Sequence, residues 1–191
     1  MLSNLWIIPA LPLVGFLTIG TLGLWKLYRK GERLGRPIVY WVCCGVVGLA
    51  FLLSISCFVE LTTMDPENRI FETDLLTWIP GNNIRTTSGE LAQLNISWGL
   101  QFDPLSAIFV LFVTGIGFLI HVYSIGYMWE EEGFWRFFAY LNLFMFMMLI
   151  LILSNNYMGL FVGWEGVGLC SYLLIGYYTR KKTAGDAAKK A

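Results

Sequence analysis

Charged residues are scarce in this chain. They make up 14% of its 191 residues, while hydrophobic residues make up 57%, and an average soluble domain has about 25% charged residues. The 13 basic and 13 acidic residues cancel, so the net charge gives no reason to expect a nucleic-acid partner. With a mean hydropathy of +0.63, the composition predicts an integral membrane protein whose surroundings are a lipid bilayer.

Residues that could hold a metal or a cofactor are equally few. The chain has one histidine, His121, and four cysteines, all within apolar runs and none in a CxxC pair: Cys43, Cys44, Cys57 and Cys170. Cysteines in such positions are typically small buried side chains. Motifs for a dinucleotide-binding fold, an iron–sulfur cluster or paired haem histidines are also missing. We therefore expect no cofactor and no metal in this chain.

Five apolar runs are long enough to cross a membrane as helices. Hydropathy predicts spans at about residues 5–24, 37–61, 104–128, 137–153 and 157–178. The tail 183–191 is rich in helix-forming residues and stops without a cap, which predicts the start of a sixth helix. Residues 1–191 are thus interpreted as a fragment of one polytopic membrane domain.

The long connection 62–103 predicts a small amount of β-structure. Residues 70–79 and 94–102 are strand-like runs on either side of a glycine- and asparagine-rich turn at 80–83. The predicted fold class is therefore an all-α membrane protein with a β-hairpin lying on the membrane surface.

Basic residues predict the orientation of the chain. They cluster after the first span, between Lys26 and Arg36, and after the fifth, at Arg180–Lys182. By the positive-inside rule both clusters are cytoplasmic, so the N-terminus is outside and the C-terminus of the chain is inside. Glu130–Glu132 also falls inside, as a solvated loop or as a contact for a soluble partner.

Glu165 is the one charged residue in the run 157–178. A carboxylate in hydrocarbon costs several kcal/mol unless it is paired, hydrated or protonated, so function is the favoured interpretation. Helical spacing places Glu165 on one face with Leu169 and Tyr172. We expect this face to point into the bundle, where the carboxylate takes and releases a proton or pairs with a cation. The alternative is a structural ion pair with a partner outside this chain.

Three other polar residues are candidates for defined roles. His121, in the third span, is a candidate proton relay or, equally, a histidine hydrogen-bonded inside the bundle. Counted from the inner ends of their spans, His121 and Glu165 differ by roughly 9 Å in depth, so we expect no direct contact. Asp103, before Pro104, is a predicted helix N-cap. Asn142 is expected to hydrogen-bond across helices.

Four segments of the sequence resemble subunit 5, called subunit L in bacteria, of the proton-pumping NADH:quinone oxidoreductase (complex I). They are Phe102–Ser106, His121–Met128, Arg136–Phe144 and Gly163–Tyr177. The last reads Gly-Trp-Glu-Gly-Val-Gly-Leu-Cys-Ser-Tyr-Leu-Leu-Ile-Gly-Tyr, and a block of that length makes the resemblance specific.

The resemblance implies an antiporter-like subunit in the inner (plasma) membrane, in the membrane arm of complex I. Such a subunit couples electron transfer from NADH to quinone to proton transport. Glu165 takes the place of the carboxylate that the family needs for translocation. In the family, that carboxylate pairs with a lysine on a later helix, and this sequence lacks that lysine. FMN, iron–sulfur clusters, NADH and quinone belong to other subunits, and the partners are other membrane-arm subunits.

Three alternatives remain open beside a complex I subunit. The large subunits of multisubunit sodium/proton antiporters and those of membrane-bound hydrogenases share the central glutamate. A membrane scaffold without a transport role is the third.

Overall fold

The computed structural model describes residues 2–66, 69–81, 83–85, 87, 91–93 and 95–190. Five long helices run through the described chain: α1 (Ile7–Lys30), α2 (Arg36–Thr63), α3 (Pro104–Tyr127), α4 (Phe134–Leu153) and α5 (Tyr157–Ile175). A short helix, α6 (Lys182–Ala188), follows, and a 3-10 turn at Leu2–Asn4 precedes α1. The five predicted spans and the predicted sixth helix are confirmed.

All five long helices are apolar enough and long enough to cross a membrane. Many of their large apolar side chains also face outward, which is unfavourable in water. On α3, for example, Phe112 and Leu119 are 62% and 64% exposed. An outward apolar surface of this kind matches the hydrocarbon of a bilayer. The protein is therefore a multi-pass membrane protein.

Helix α1 is longer than the sequence predicts. Pro9 and Pro12 lie in its first two turns, where a proline removes few helical hydrogen bonds. The helix then continues through part of the basic cluster to Lys30 and ends at Gly31, whose φ of 62° is readily adopted by glycine. The predicted span ends at about residue 24, whereas the helix extends to Lys30, because lysine and arginine are good helix formers that also favour a helix C-terminus.

Two groups of buried side chains form the core, one near each end of the bundle. One joins the start of α1 to the end of α2 and the last strand, and includes Leu5, Leu61 and Phe102. The other joins the start of α2 to the start of α4, and includes Val39 and Phe138. The four cysteines are unpaired, and each is buried, as expected of small apolar side chains.

The connection between α2 and α3 contains two nested antiparallel pairs of strands. Strands β1 (Phe71–Ile79) and β4 (Ile96–Phe102) pair with Phe71 opposite Phe102 and Ile79 opposite Ile96. Between them, β2 (Asn83–Arg85) pairs with β3 (Leu91–Gln93). The predicted hairpin is thus confirmed, and the inner pair was not anticipated. Asn82 of the predicted turn and Leu94 at the start of the predicted second run lie outside the described residues.

The hairpin is fastened to the turn between α4 and α5. Leu100 forms an isolated bridge with Ser154, and the Asn156 side-chain amide donates to the Ser97 carbonyl at 2.7 Å. The same Asn156 accepts from the backbone amides of Met158 and Gly159 and so caps α5. One asparagine therefore both starts α5 and holds the hairpin against this end of the bundle.

Asp103 caps α3, as its position before Pro104 predicts. Its carboxylate accepts from the Ser106 amide at 2.7 Å, and the Ser106 hydroxyl accepts from the Asp103 amide at 2.7 Å, completing a capping box. Partial burial acts to raise the pKa of the Asp103 carboxyl, but the hydrogen bonds from Ser106 and Gln101 outweigh it, so the pKa lies below its usual value.

Candidate functional site

Glu165 lies on the outward face of α5. Its side chain is exposed, and Trp164, Leu169 and Tyr172 around it are 66%, 54% and 49% exposed. Within the described part of the chain, the carboxylate has no hydrogen-bond or ion-pair partner. The shared face of Glu165, Leu169 and Tyr172 that helical spacing predicts is present, but it is turned away from the other described helices.

The opposite face of α5 explains this orientation. Gly159, Gly163, Gly166 and Cys170 are the buried residues of the helix. A Cβ atom built on Gly163 would lie 2.6 Å from the backbone of Leu151, so only glycine permits the close approach of α5 to α4. Within the described residues, the glycine face of α5 packs against α4, and Glu165 lies on the exposed face, so the expectation that it faces the interior of a bundle stays a prediction.

His121 is fully buried on α3. Its Nδ1 lies 2.7 Å from the Gly117 carbonyl, one helical turn earlier, and its ring lies edge-on to the Phe138 ring of α4. Because a carbonyl can only accept, Nδ1 carries a proton in this arrangement. A cavity of about 170 Å³ with mostly apolar walls, including Phe112, Ile116 and Met145, adjoins the ring between α3 and α4.

Asn142 of α4 is the polar neighbour of His121. Its side-chain nitrogen lies 3.3 Å from His121 Nε2 and donates to the Phe138 carbonyl at 3.1 Å. The predicted interhelical hydrogen bond of Asn142 is therefore confirmed. The sequence did not identify His121 as its partner. Similar distances from the loop shared by α3 and α4 could have suggested it, since residues equally far from that loop lie at similar depth.

His121 and Glu165 are not brought together. His121 faces α4 from α3, whereas Glu165 is turned away from α4 on α5. In the described chain, His121 contacts Gly117, Phe138 and Asn142, and Glu165 is not among these contacts. The two residues therefore form two separate polar positions in an otherwise apolar bundle.

Charged groups gather at the end of the bundle away from the hairpin. Arg33 pairs with Glu132 at 2.9 Å, and Glu131 accepts from the Tyr178 hydroxyl at 3.1 Å. The Arg136 guanidinium donates to the Tyr177 carbonyl. Burial raises the pKa of Tyr177, and the neighbouring Arg136 opposes that rise in part. The Glu130–Glu132 loop is thus partly tied to this chain's own basic residues.

Two family patterns match the chain. The pattern described as "NADH-Ubiquinone oxidoreductase (complex I), chain 5 N-terminus" matches residues 90–138. The pattern described as "NADH:quinone oxidoreductase/Mrp antiporter, TM" matches residues 154–191, which include Glu165.

Curated relatives of the chain are named as subunits of quinone oxidoreductases. The chain is 41% identical over 186 residues to NADH-quinone oxidoreductase subunit L of Mycobacterium tuberculosis, covering 97% of this chain and 26% of the relative. It is 39% identical over 181 residues to subunit L of Escherichia coli, covering 95% and 26%. It is 37% identical over 186 residues to NAD(P)H-quinone oxidoreductase subunit 5, chloroplastic, of Chlorokybus atmophyticus, covering 97% and 26%. The chain thus spans about a quarter of the length of these relatives.

Proposed function

We propose that this chain, which resembles NADH-quinone oxidoreductase subunit L and matches the two family patterns, is part of the proton-translocating membrane arm of an NADH:quinone oxidoreductase. The observation that carries the proposal is the carboxylate of Glu165, which lies within an apolar membrane helix and inside the matched segment 154–191. In this proposal, electrons pass from NADH to quinone in the complex, and Glu165 helps to couple that electron transfer to proton movement.

Glu165 is the group that takes and releases the proton. A charged side chain at the centre of a bilayer costs roughly 3 kcal/mol on insertion scales, and the described chain gives the carboxylate no partner. The exposed face around Glu165 therefore packs against protein that supplies a cation or water, either later helices or another subunit. When that partner group moves or changes charge, the proton affinity of Glu165 changes and the proton is transferred.

His121 is the second proton-carrying group. It is buried and hydrogen-bonded through both ring nitrogens, and an imidazole can accept a proton at one nitrogen and release one from the other. Its distance from Glu165 requires water or other side chains between them, so His121 serves a different segment of the proton path.

Electron transfer belongs to other subunits in this proposal. The redox cofactors are held there, and this chain contributes membrane helices and proton-carrying side chains. The chain lies in the cell inner (plasma) membrane with its N-terminus outside and its basic end in the cytoplasm, because lysine and arginine concentrate at that end.

Copurification separates this proposal from its main rival. The protein is purified through an affinity tag from gently solubilised membranes, and its companions are identified by mass spectrometry. Recovery of the subunits of an NADH:quinone oxidoreductase, with NADH:quinone activity, is the expected result. Recovery of the small subunits of a sodium/proton antiporter or of a hydrogenase would contradict it. The scaffold alternative is tested by the pumping measurement on Glu165.

A further inference from the structure

The amide of Asn142 is held between three helices. Its nitrogen faces His121 Nε2 of α3 and the Phe138 carbonyl of α4. Its oxygen is buried without a hydrogen-bond partner in the described chain and lies against α1 at Gly15. A Cβ atom built on Gly15 would lie 2.6 Å from this oxygen and 2.8 Å from Cγ2 of Val46. Only glycine leaves room for the asparagine at this position.

The orientation of the amide follows from its neighbours. Nδ1 of His121 donates to the Gly117 carbonyl, so in a neutral ring Nε2 is left as an acceptor. Asn142 meets that acceptor with a donor. Turning the amide by half a rotation would place its oxygen against the Phe138 carbonyl, acceptor facing acceptor, so the backbone of α4 selects the orientation that suits neutral His121.

We infer that Asn142, seated on Gly15, is a positioning residue that holds His121 neutral, with the proton on Nδ1 and the lone pair of Nε2 directed at α4. A proton arriving at Nε2 would make that nitrogen a donor facing the donor of Asn142. The ring therefore accepts a proton at Nε2 only after the amide has turned or withdrawn. Because Gly15 limits where the amide can go, the packing of α1 on α4 determines when the ring can be charged.

This inference rests on the proposed function for its consequence in transport, but the contact itself can be tested without transport. His121 is the one histidine of residues 1–191, and ¹⁵N-histidine labelling reports on its ring by solid-state NMR once its signal is told apart from those of the other histidines in the complex. The preparation is the intact complex in its membrane, and the His121→Gln variant identifies the signal by its loss.

The test uses four variants, of which three change the contact and one is a control. Asn142→Leu keeps the branched shape at Cγ and removes the donor. Gly15→Ala displaces the amide and leaves its chemistry unchanged. Asn142→Asp puts a carboxylate beside Nε2. Gly20→Ala is the matched control on α1, because a Cβ there meets nothing closer than 3.9 Å.

The parent protein is expected to show a protonated Nδ1 and an unprotonated, hydrogen-bonded Nε2. In Asn142→Leu and Gly15→Ala, the chemical shift of Nε2 should move to the value of an unprotonated nitrogen that accepts no hydrogen bond. In Gly20→Ala, the chemical shift of Nε2 should match the parent protein. Asn142→Asp should protonate both nitrogens. An Nε2 signal unchanged in both Asn142→Leu and Gly15→Ala, or a parent ring protonated at Nε2, would overturn the inference.

Proton pumping by the same variants separates the inference from the proposed function. If Asn142→Leu alters the ring signal and also lowers pumping toward the level of His121→Gln, both stand. If it alters the ring signal while His121→Gln pumps normally, Asn142 still positions the ring and the relay role of His121 is contradicted.

Discussion

Single residues carry most of the chemistry in this membrane protein, and their surroundings differ sharply. Glu165 is exposed on the outward face of α5, whereas His121 is sealed between α3 and α4 with each ring nitrogen engaged. The proton affinity of an exposed carboxylate depends on the groups that pack against it from outside this chain. The proton affinity of a buried, hydrogen-bonded imidazole depends on the helices around it. In the proposed function, the two residues therefore belong to different parts of the proton path.

Asp103 offers a prediction at the scale of one side chain. Replacing Asp103 with alanine removes the cap of α3 and should cost about 1 kcal/mol of stability. The folded pKa lies below the unfolded one, so the contribution of the charge is present above the unfolded pKa and is lost as the pH falls through the folded pKa. Thermal unfolding in detergent across acidic pH measures both effects.

Asn is the matched replacement at position 103. Asp103→Asn keeps a capping oxygen without an ionisable group, so it should retain most of the stability near neutral pH and lose the acid dependence that belongs to Asp103. Equal stability of Asp103→Ala and the parent protein at neutral pH would show that the capping box contributes nothing.

At the scale of elements, the sequence pattern predicts which helices and strands form, whereas the packing between helices decides which face of a helix is buried. The five spans, the cap at Asp103 and the pairing of residues 71–79 with 96–102 follow from hydropathy, capping chemistry and alternation. The direction of Glu165 does not follow from these patterns, because apolar residues lie on all sides of α5. Its packed face consists mostly of glycines, which hydropathy does not mark as a buried face. Which face meets α4 depends on the shape of α4 around Leu151, which one helix's sequence does not contain.

The glycine face of α5 can be tested with two alanines. Gly163→Ala would press a methyl group against the backbone of Leu151, and overpacking of this kind costs about 1–3 kcal/mol. Gly168→Ala is the control, since a Cβ there meets no atom within 4 Å. Thermal unfolding of the two variants should show a lowered midpoint for Gly163→Ala alone. Equal midpoints would contradict the close packing of α5 on α4.

At the scale of the whole molecule, the two ends of the bundle are chemically different. The hairpin and the turn Ser154–Asn156 are fastened together at one end, and the basic residues meet the Glu130–Glu132 loop at the other. This separation agrees with five membrane crossings of alternating direction, and it is the basis for placing the basic end in the cytoplasm.

Cysteine labelling tests that placement. Arg29 lies near the C-terminal end of α1 and Asp65 follows the C-terminal end of α2, so these exposed residues lie at opposite ends of the bundle. The four cysteines of residues 1–191 are buried, which limits background. In intact cells, a membrane-impermeant thiol reagent should label Asp65→Cys, and Arg29→Cys should react only after the membrane is opened. The reverse pattern would invert the orientation.

We propose that the carboxylate of Glu165 carries protons across the membrane. The most direct measurement is proton transport per NADH oxidised, in proteoliposomes that contain the intact complex with Glu165→Gln, with Glu130→Gln in the exposed loop as the matched control. Glutamine cannot release a proton, so transfer through this site should slow by about 100-fold or more, as for the loss of a general acid–base group. We predict that Glu165→Gln assembles normally and transports fewer protons per NADH, whereas Glu130→Gln matches the parent. A parental ratio of protons to NADH in Glu165→Gln would contradict the claim.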